Sequence, residues 1–164
     1  MKIQFAWHVH HNRLVEPLIG SIEERIAYIK ERKPKNGRDI RLRLLKPVIG
    51  PLPIIYVEAG KAYVEAGKAY GEARKVYGEA RKVYIEAVKA SGEAGKAYEE
   101  AEKASDETWK VYDEAWKVYD ETWKVYDEAE KASQQSIIEL HLNECPNCPW
   151  DGKTIFPLTT KGYW

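Results

Sequence analysis

A chain of 164 residues, 44% hydrophobic and 32% charged, is sized for one domain or for one long element carrying a small head. No run of 18 apolar residues marks a transmembrane helix, and the N-terminus lacks the basic start and apolar core of a secretory signal. Two cysteines confined to one short motif make no disulfide framework, so the expectation is a cytoplasmic protein with no membrane partner.

In chain order, residues 2–10 (KIQFAWHVH) alternate, with Ile3, Phe5, Trp7 and Val9 on one side and Lys2, Gln4, His8 and His10 on the other. That is the pattern of a half-buried strand. Ser21 with Glu24 three residues later forms a capping box. It opens a short helix to about Arg32, with Ile22, Ile26 and Ile29 on one face. Pro34 and Asn36-Gly37 predict a turn. Residues 39–46 (DIRLRLLK) read as a second strand, with Ile40, Leu42 and Leu44 inward. This gives a strand–helix–strand head over 1–50, followed by a Pro-rich linker over 51–57.

Residues 58–134 hold eleven seven-residue units without insertion or proline, from EAGKAYV through EARKVYG and ETWKVYD to EAEKASQ. Seven is close to two helical turns, so the repeat predicts a long, Ala-rich, coiled-coil-like helix with antiparallel pairing. With Ala59 at heptad position a, Glu58 falls at g, Lys61 at c, Ala62 or Val76 at d and Tyr63 at e. The seam is then expected at a/d, Ala against Ala or Val. In the second half Trp109, Tyr112, Trp116, Tyr119, Trp123 and Tyr126 alternate at b and e. They are the expected helix-packing interface, because three indoles in a row need cover.

One unbroken helix over the repeat would run about 115 Å. The alternative is a helical hairpin turning near 91–95, where Gly92 and Gly95 each weaken a helix by about 1 kcal/mol. Reflection about the Glu93–Ala94 bond would set Trp109 beside Gly78 and Trp116 beside Gly71, large against small. Charge points to antiparallel contact as well. Residues 1–57 carry 11 basic and 5 acidic groups (+6), 58–98 carry 8 and 6 (+2), 99–134 carry 5 and 12 (−7), and 135–164 carry 2 and 3 (−1).

The tail over 135–164 alternates at Ile138, Leu140 and Leu142, and with residues 153–156 (KTIF) it predicts short strands. The terminal strands are expected to share one small sheet, which requires the repeat to fold back or two chains to run antiparallel. The fold class is therefore mainly α with a small α+β head.

Cys145-Pro-Asn-Cys148, preceded by His141, is the best site in the chain. Two thiolates at CxxC spacing can grip one Zn²⁺. The motif resembles the knuckle of rubredoxins and zinc ribbons, which carry a second knuckle that this chain lacks. His141, or His8 and His10 from the first strand, would supply the other ligands. A reduced CxxC loop with no ligand is the competing reading, so the only cofactor in view is Zn. His8-Val-His10-His11 also resembles strand ends of metal-dependent phosphoesterases, but the length and later acids of those barrels are missing. No nucleophile elbow, phosphate loop or dinucleotide fingerprint is present, and the chain is not expected to be an enzyme.

Lys33, Lys35, Arg38, Arg41 and Arg43 form a basic cluster that suits phosphates, or the acidic half of the repeat. The tandem Glu-Ala-x-Lys-Ala-Tyr units with the CxxC-Trp-Asp-Gly tail resemble short phage and environmental heptad-repeat proteins, loosely over 58–156. That resemblance implies no activity. The sequence thus suggests a structural or interaction protein, a self-associating rod or hairpin displaying a small head and forming antiparallel homo-oligomers. The alternative is a metal-clipped nucleic-acid-binding accessory protein.

Overall fold

A computed structural model describes residues 3–90 and 95–156. The elements are β1 (Phe5–Trp7), β2 (Val15–Pro17), α1 (Ile22–Arg32), α2 (Lys35–Leu44), β3 (Lys46–Pro47), α3 (Ile54–Ala90) and α4 (Gly95–Glu144). The chain divides into two compact units, residues 1–61 with 129–164, and residues 62–128. No helix among the described residues is long and apolar enough to cross a membrane.

The first unit contains a three-stranded antiparallel sheet in the order β2-β1-β3. Trp7 pairs with Val15 on one side and Lys46 on the other. The first strand is much shorter than residues 2–10. His8 adopts a left-handed backbone, φ 54°, which breaks the pleat, and its N–H closes the β1–β2 loop on the Leu14 carbonyl at 2.9 Å. β1 is buried on both faces. Ala6 packs with Val9, Leu18, Ile29 and Leu45, while the Phe5 ring meets Tyr56 at 5.5 Å. Helix α1 starts and ends as its pattern predicts, with the Ser21–Glu24 capping box formed in both directions.

Three expected elements are corrected. Residues 35–44 are helix α2, not a turn followed by a strand. The stretch DIRLRLLK satisfies both periods, and the helical one wins because it serves two cores. Leu42 and Leu45 join the cluster against the sheet, while Ile40 and Leu44 pack with Ile155 and Phe156. Gly37 lets the helix approach closely here, since a Cβ would lie 3.2 Å from the Phe156 ring. Residues 138–142 continue α4 rather than forming a strand. Ala129, Ser133, Ile137, His141 and Cys145, each four apart, are all buried and make a helical stripe beneath the alternation. Residues 153–156 form no strand either, so the sheet is built from the N-terminal segment alone.

The repeat is two helices packed antiparallel, a hairpin and not one unbroken rod. Residues 91–94, where the turn was placed, lie outside the described residues. In the second unit the seam is rotated from the expected a/d to a/e. Alanines at a and tyrosines at e face inward, whereas the d residues Val76, Val83, Val111, Val118 and Val125 are 53–59% exposed. Both stripes advance by alternating steps of three and four, so heptad spacing alone does not separate them.

The e tyrosines interleave into a ladder. Tyr126, Tyr63, Tyr119, Tyr70, Tyr112 and Tyr77 follow one another with ring centroids 5.3–5.5 Å apart, taken alternately from the two helices. Hydroxyls pair at 2.8 Å for Tyr63–Tyr119 and 2.9 Å for Tyr70–Tyr112, so these phenols are satisfied within the seam. The indoles flank the ladder, with Trp109 on Tyr77 at 5.1 Å, Trp116 on Tyr70 at 5.2 Å and Trp123 on Tyr63 at 5.3 Å. The reflection about residues 93 and 94 is thus correct to one position, but its contacts are not. A Cβ on Gly71 or Gly78 would meet nothing within 4 Å, so tyrosines receive the indoles and the glycines do not.

Candidate metal centre

Two stretches far apart in sequence, the end of β1 and the end of α4 with the loop that follows it, converge in the first unit. β1 delivers His8, whose left-handed backbone departs from the strand and buries the ring to 1% exposure. The last turn of α4 delivers His141, 5% exposed. The loop after α4 delivers Cys148. The Cys145 N–H continues the helix to the His141 carbonyl at 2.7 Å, and the Cys148 N–H turns back to the Cys145 carbonyl at 3.2 Å. Asn147 takes a left-handed φ of 61°, which lets so tight a loop form.

His8 Nε2 lies 3.0 Å from His141 Nε2 and 3.2 Å from Cys148 Sγ. All three atoms fall within 4.8 Å of one another. Trp7 packs edge-on to His141 at 5.2 Å, and Trp150 lies 5.7 Å from His8. A cleft of about 330 Å³ opens beside the cluster, lined by Leu14, Ile138, His141, Cys145, Cys148 and Trp150 among others.

Burial sets the electrostatics. It lowers the His8 pKa to about 4, with His141 as a second cause, and it lowers that of His141, where Lys46 adds to the effect. Both rings are therefore neutral at neutral pH and have lone pairs to offer. The His8 Nδ1 is buried without a well-formed hydrogen bond. The Arg13 backbone lies near enough to favour the protonated ring. Burial pushes both thiols up, while the nearby Lys46 charge pulls them down.

Glu144 buttresses the site from the end of α4. Its carboxylate accepts from Trp7 Nε1 at 2.8 Å, from Gly50 N at 2.5 Å and from Ile49 N at 3.1 Å. The Lys46 ammonium donates to the Glu144 backbone carbonyl. These supporting residues were not picked out from the sequence. The signal for Glu144 is its place three residues after His141, at the last turn of the same helix.

Of the five residues proposed as ligands, the structure brings His8, His141 and Cys148 together. Cys145 lines the same cleft, 5% exposed, near the Lys46 charge, and lies outside the tight cluster. His10 does not join. Its Nδ1 pairs with Glu16 at 2.8 Å on the surface, because the strand ends at Trp7 and the expected shared face of His8 and His10 never forms.

The basic cluster on and before α2 is partly consumed by the head itself. Arg38 Nη2 donates to the Lys33 carbonyl at 2.7 Å, and the Lys33 ammonium lies 5.3 Å from the Tyr28 ring centroid. The Arg41 guanidinium covers the Phe156 ring at 4.9 Å. Lys35 and Arg43 are exposed.

Comparison of the chain with protein-family models, with curated proteins and with solved structures gives no match. The reading of function therefore rests on the residues and their geometry.

Proposed function

We propose that this is an interaction scaffold, a helical hairpin that associates with a second copy of itself and carries a small head. The observation behind the reading is the row of d-position valines. Val76 and Val83 on α3 and Val111, Val118 and Val125 on α4 are 53–59% exposed at heptad spacing. Valine is a modest helix former, so five of them in water at one repeat position bring neither helix propensity nor burial. Fully burying a valine contributes about 1.5 kcal/mol or more, enough for the row to hold two hairpins together.

A second copy fits this edge better than an unrelated helix does. In an antiparallel pair the d positions of both helices fall on the same side of the hairpin. A two-fold axis then sets α3 of one copy, in the +2 segment, against α4 of the other, in the −7 segment. Lys at c and Glu at g border the row and supply a polar rim. Sedimentation equilibrium of the purified chain at high micromolar concentration should give a dimer. Val76→Glu with Val118→Glu should give a monomer of unchanged helicity. A monomeric wild-type chain would rule the reading out.

A further inference from the structure

Two separations within the His8, His141 and Cys148 cluster are close to those of a ligand cage. In a tetrahedral zinc site, bonds of about 2.0 Å to nitrogen and 2.3 Å to sulfur put ligand atoms about 3.3–3.5 Å apart. The observed separations are 3.0 Å between the two imidazole nitrogens and 3.2 Å between nitrogen and sulfur. Only a small outward movement is needed to admit an ion.

The cluster is a poor arrangement on hydrogen bonding alone. One His8 nitrogen faces both a second imidazole nitrogen and a thiol, and at most one proton lies on each axis. Burying three such groups against one another costs desolvation that weak contacts return only in part. The left-handed backbone of His8, a residue with a Cβ, adds strain at the same point. Two indoles and the end of α4 wall the cluster in, so these costs are concentrated in one well-built place.

We infer that the head binds one Zn²⁺ through His8 Nε2, His141 Nε2 and Cys148 Sγ, with Cys145 as the fourth ligand. Two nitrogens with thiolate sulfur select a borderline-soft ion of tetrahedral habit over Mg²⁺ or Ca²⁺. Cys145 follows His141 by one helical turn and precedes Cys148 by three residues, in the same cleft. On binding, each ligating thiol releases its proton to solvent, and its sulfur exchanges the Lys46 environment for the cation. The ion ties the end of β1 to the end of α4 and its CxxC loop, more than 130 positions away in sequence.

The test uses the full chain, with Zn²⁺ and Co²⁺ as probes. Protein refolded with Zn²⁺ and dialysed should retain one equivalent. Co²⁺ should give the intense visible bands of a tetrahedral site together with a thiolate-to-metal absorption in the near ultraviolet. His8→Ala, His141→Ala and Cys148→Ser should each weaken binding by more than about 100-fold, the upper range that even outer-shell changes reach. Cys145→Ser should weaken it and alter the Co²⁺ spectrum. His10→Ala, which removes the exposed neighbour, should change nothing. Circular dichroism of each variant separates lost ligation from lost folding, because the long helices report on the fold independently of the metal. Octahedral Co²⁺ spectra, no retained zinc in the folded wild-type chain, or wild-type affinity in folded His8→Ala and His141→Ala would each overturn the site.

Discussion

Gly71 and Gly78 sit mid-helix in α3 with nothing within 4 Å of where a Cβ would lie. Glycine in a helix interior costs about 1 kcal/mol relative to alanine, through backbone entropy and exposed peptide groups. With no neighbour to crowd, Gly71→Ala and Gly78→Ala should each stabilise the chain by about 0.5–1 kcal/mol, read from the midpoint of urea unfolding at unchanged slope. Destabilisation would mean that another surface occupies that face. The contrast is Gly37, where the Phe156 ring fills the space a side chain would take. Sequence composition presents these glycines alike, and only the packing around each gives its sign. The same holds for the histidines. Their proximity to a CxxC motif in the fold was legible as chemistry, but alternation put His8 and His10 on one face. A single left-handed residue at the end of β1 separated them.

At the scale of elements, register, propensity and the absence of proline made the helicity and antiparallel pairing of the repeat readable. The choice of seam was not. Positions a/d and a/e both repeat at steps of three and four, and the decision falls to tyrosine. Its ring contributes far more buried area than valine, and a phenol from the opposite helix satisfies its hydroxyl. In the same way residues 39–46 and 138–142 satisfy two periods at once, and tertiary packing, not local pattern, selects the helix. The tyrosine seam has a signature in alkali. The Tyr98 phenol is pushed up to about 12, first by its hydrogen bond with Tyr84 and then by the Glu102 charge. Tyr112 is pushed up first by its hydrogen bond with Tyr70. An unfolded tyrosine ionises near pH 10, so the folded chain holds these protons more tightly than the unfolded one. Their contribution to stability is complete below about pH 10 and is lost as pH rises through the folded values. The melting temperature should therefore fall between about pH 10 and 12. Tyr70→Phe should flatten the part of that fall due to Tyr112 and lower stability at neutral pH through the lost hydroxyl pair. An unchanged alkaline profile in Tyr70→Phe would show that the hydroxyl pair does not stabilise the seam.

At the scale of the whole molecule, the first unit draws on both ends of the chain, residues up to 61 and from 129 onward. A chain whose repeat ran on as one helix would hold those ends apart, so the head depends on heptads being matched between α3 and α4. Each rung is a set of rings supplied from both sides. Tyr77 of α3, for instance, packs on Trp109 and Tyr112 of α4. Deleting residues 72–78 together with 107–113 removes that rung complete, one seven-residue unit from each helix. Tyr70 gives up Tyr112 but keeps Trp116 and Tyr119, Tyr84 keeps Tyr98, and the chain should fold with a shorter ladder and an intact head. Deleting 107–113 alone brings the unit EAEKASD towards Tyr77, which then loses both aromatic neighbours and faces glutamate and serine. Both deletions remove the same pairs with Trp109 and Tyr112, but only the single one also shifts Tyr84 off Tyr98, so at about 0.5–1.5 kcal/mol for an aromatic pair beyond its buried area it should be the less stable by about that much, although it keeps seven more residues. Chemical denaturation of the two variants reads the difference directly. Equal stability would mean that the helices are held by charge and alanine contact alone, and that the rings are incidental to the pairing.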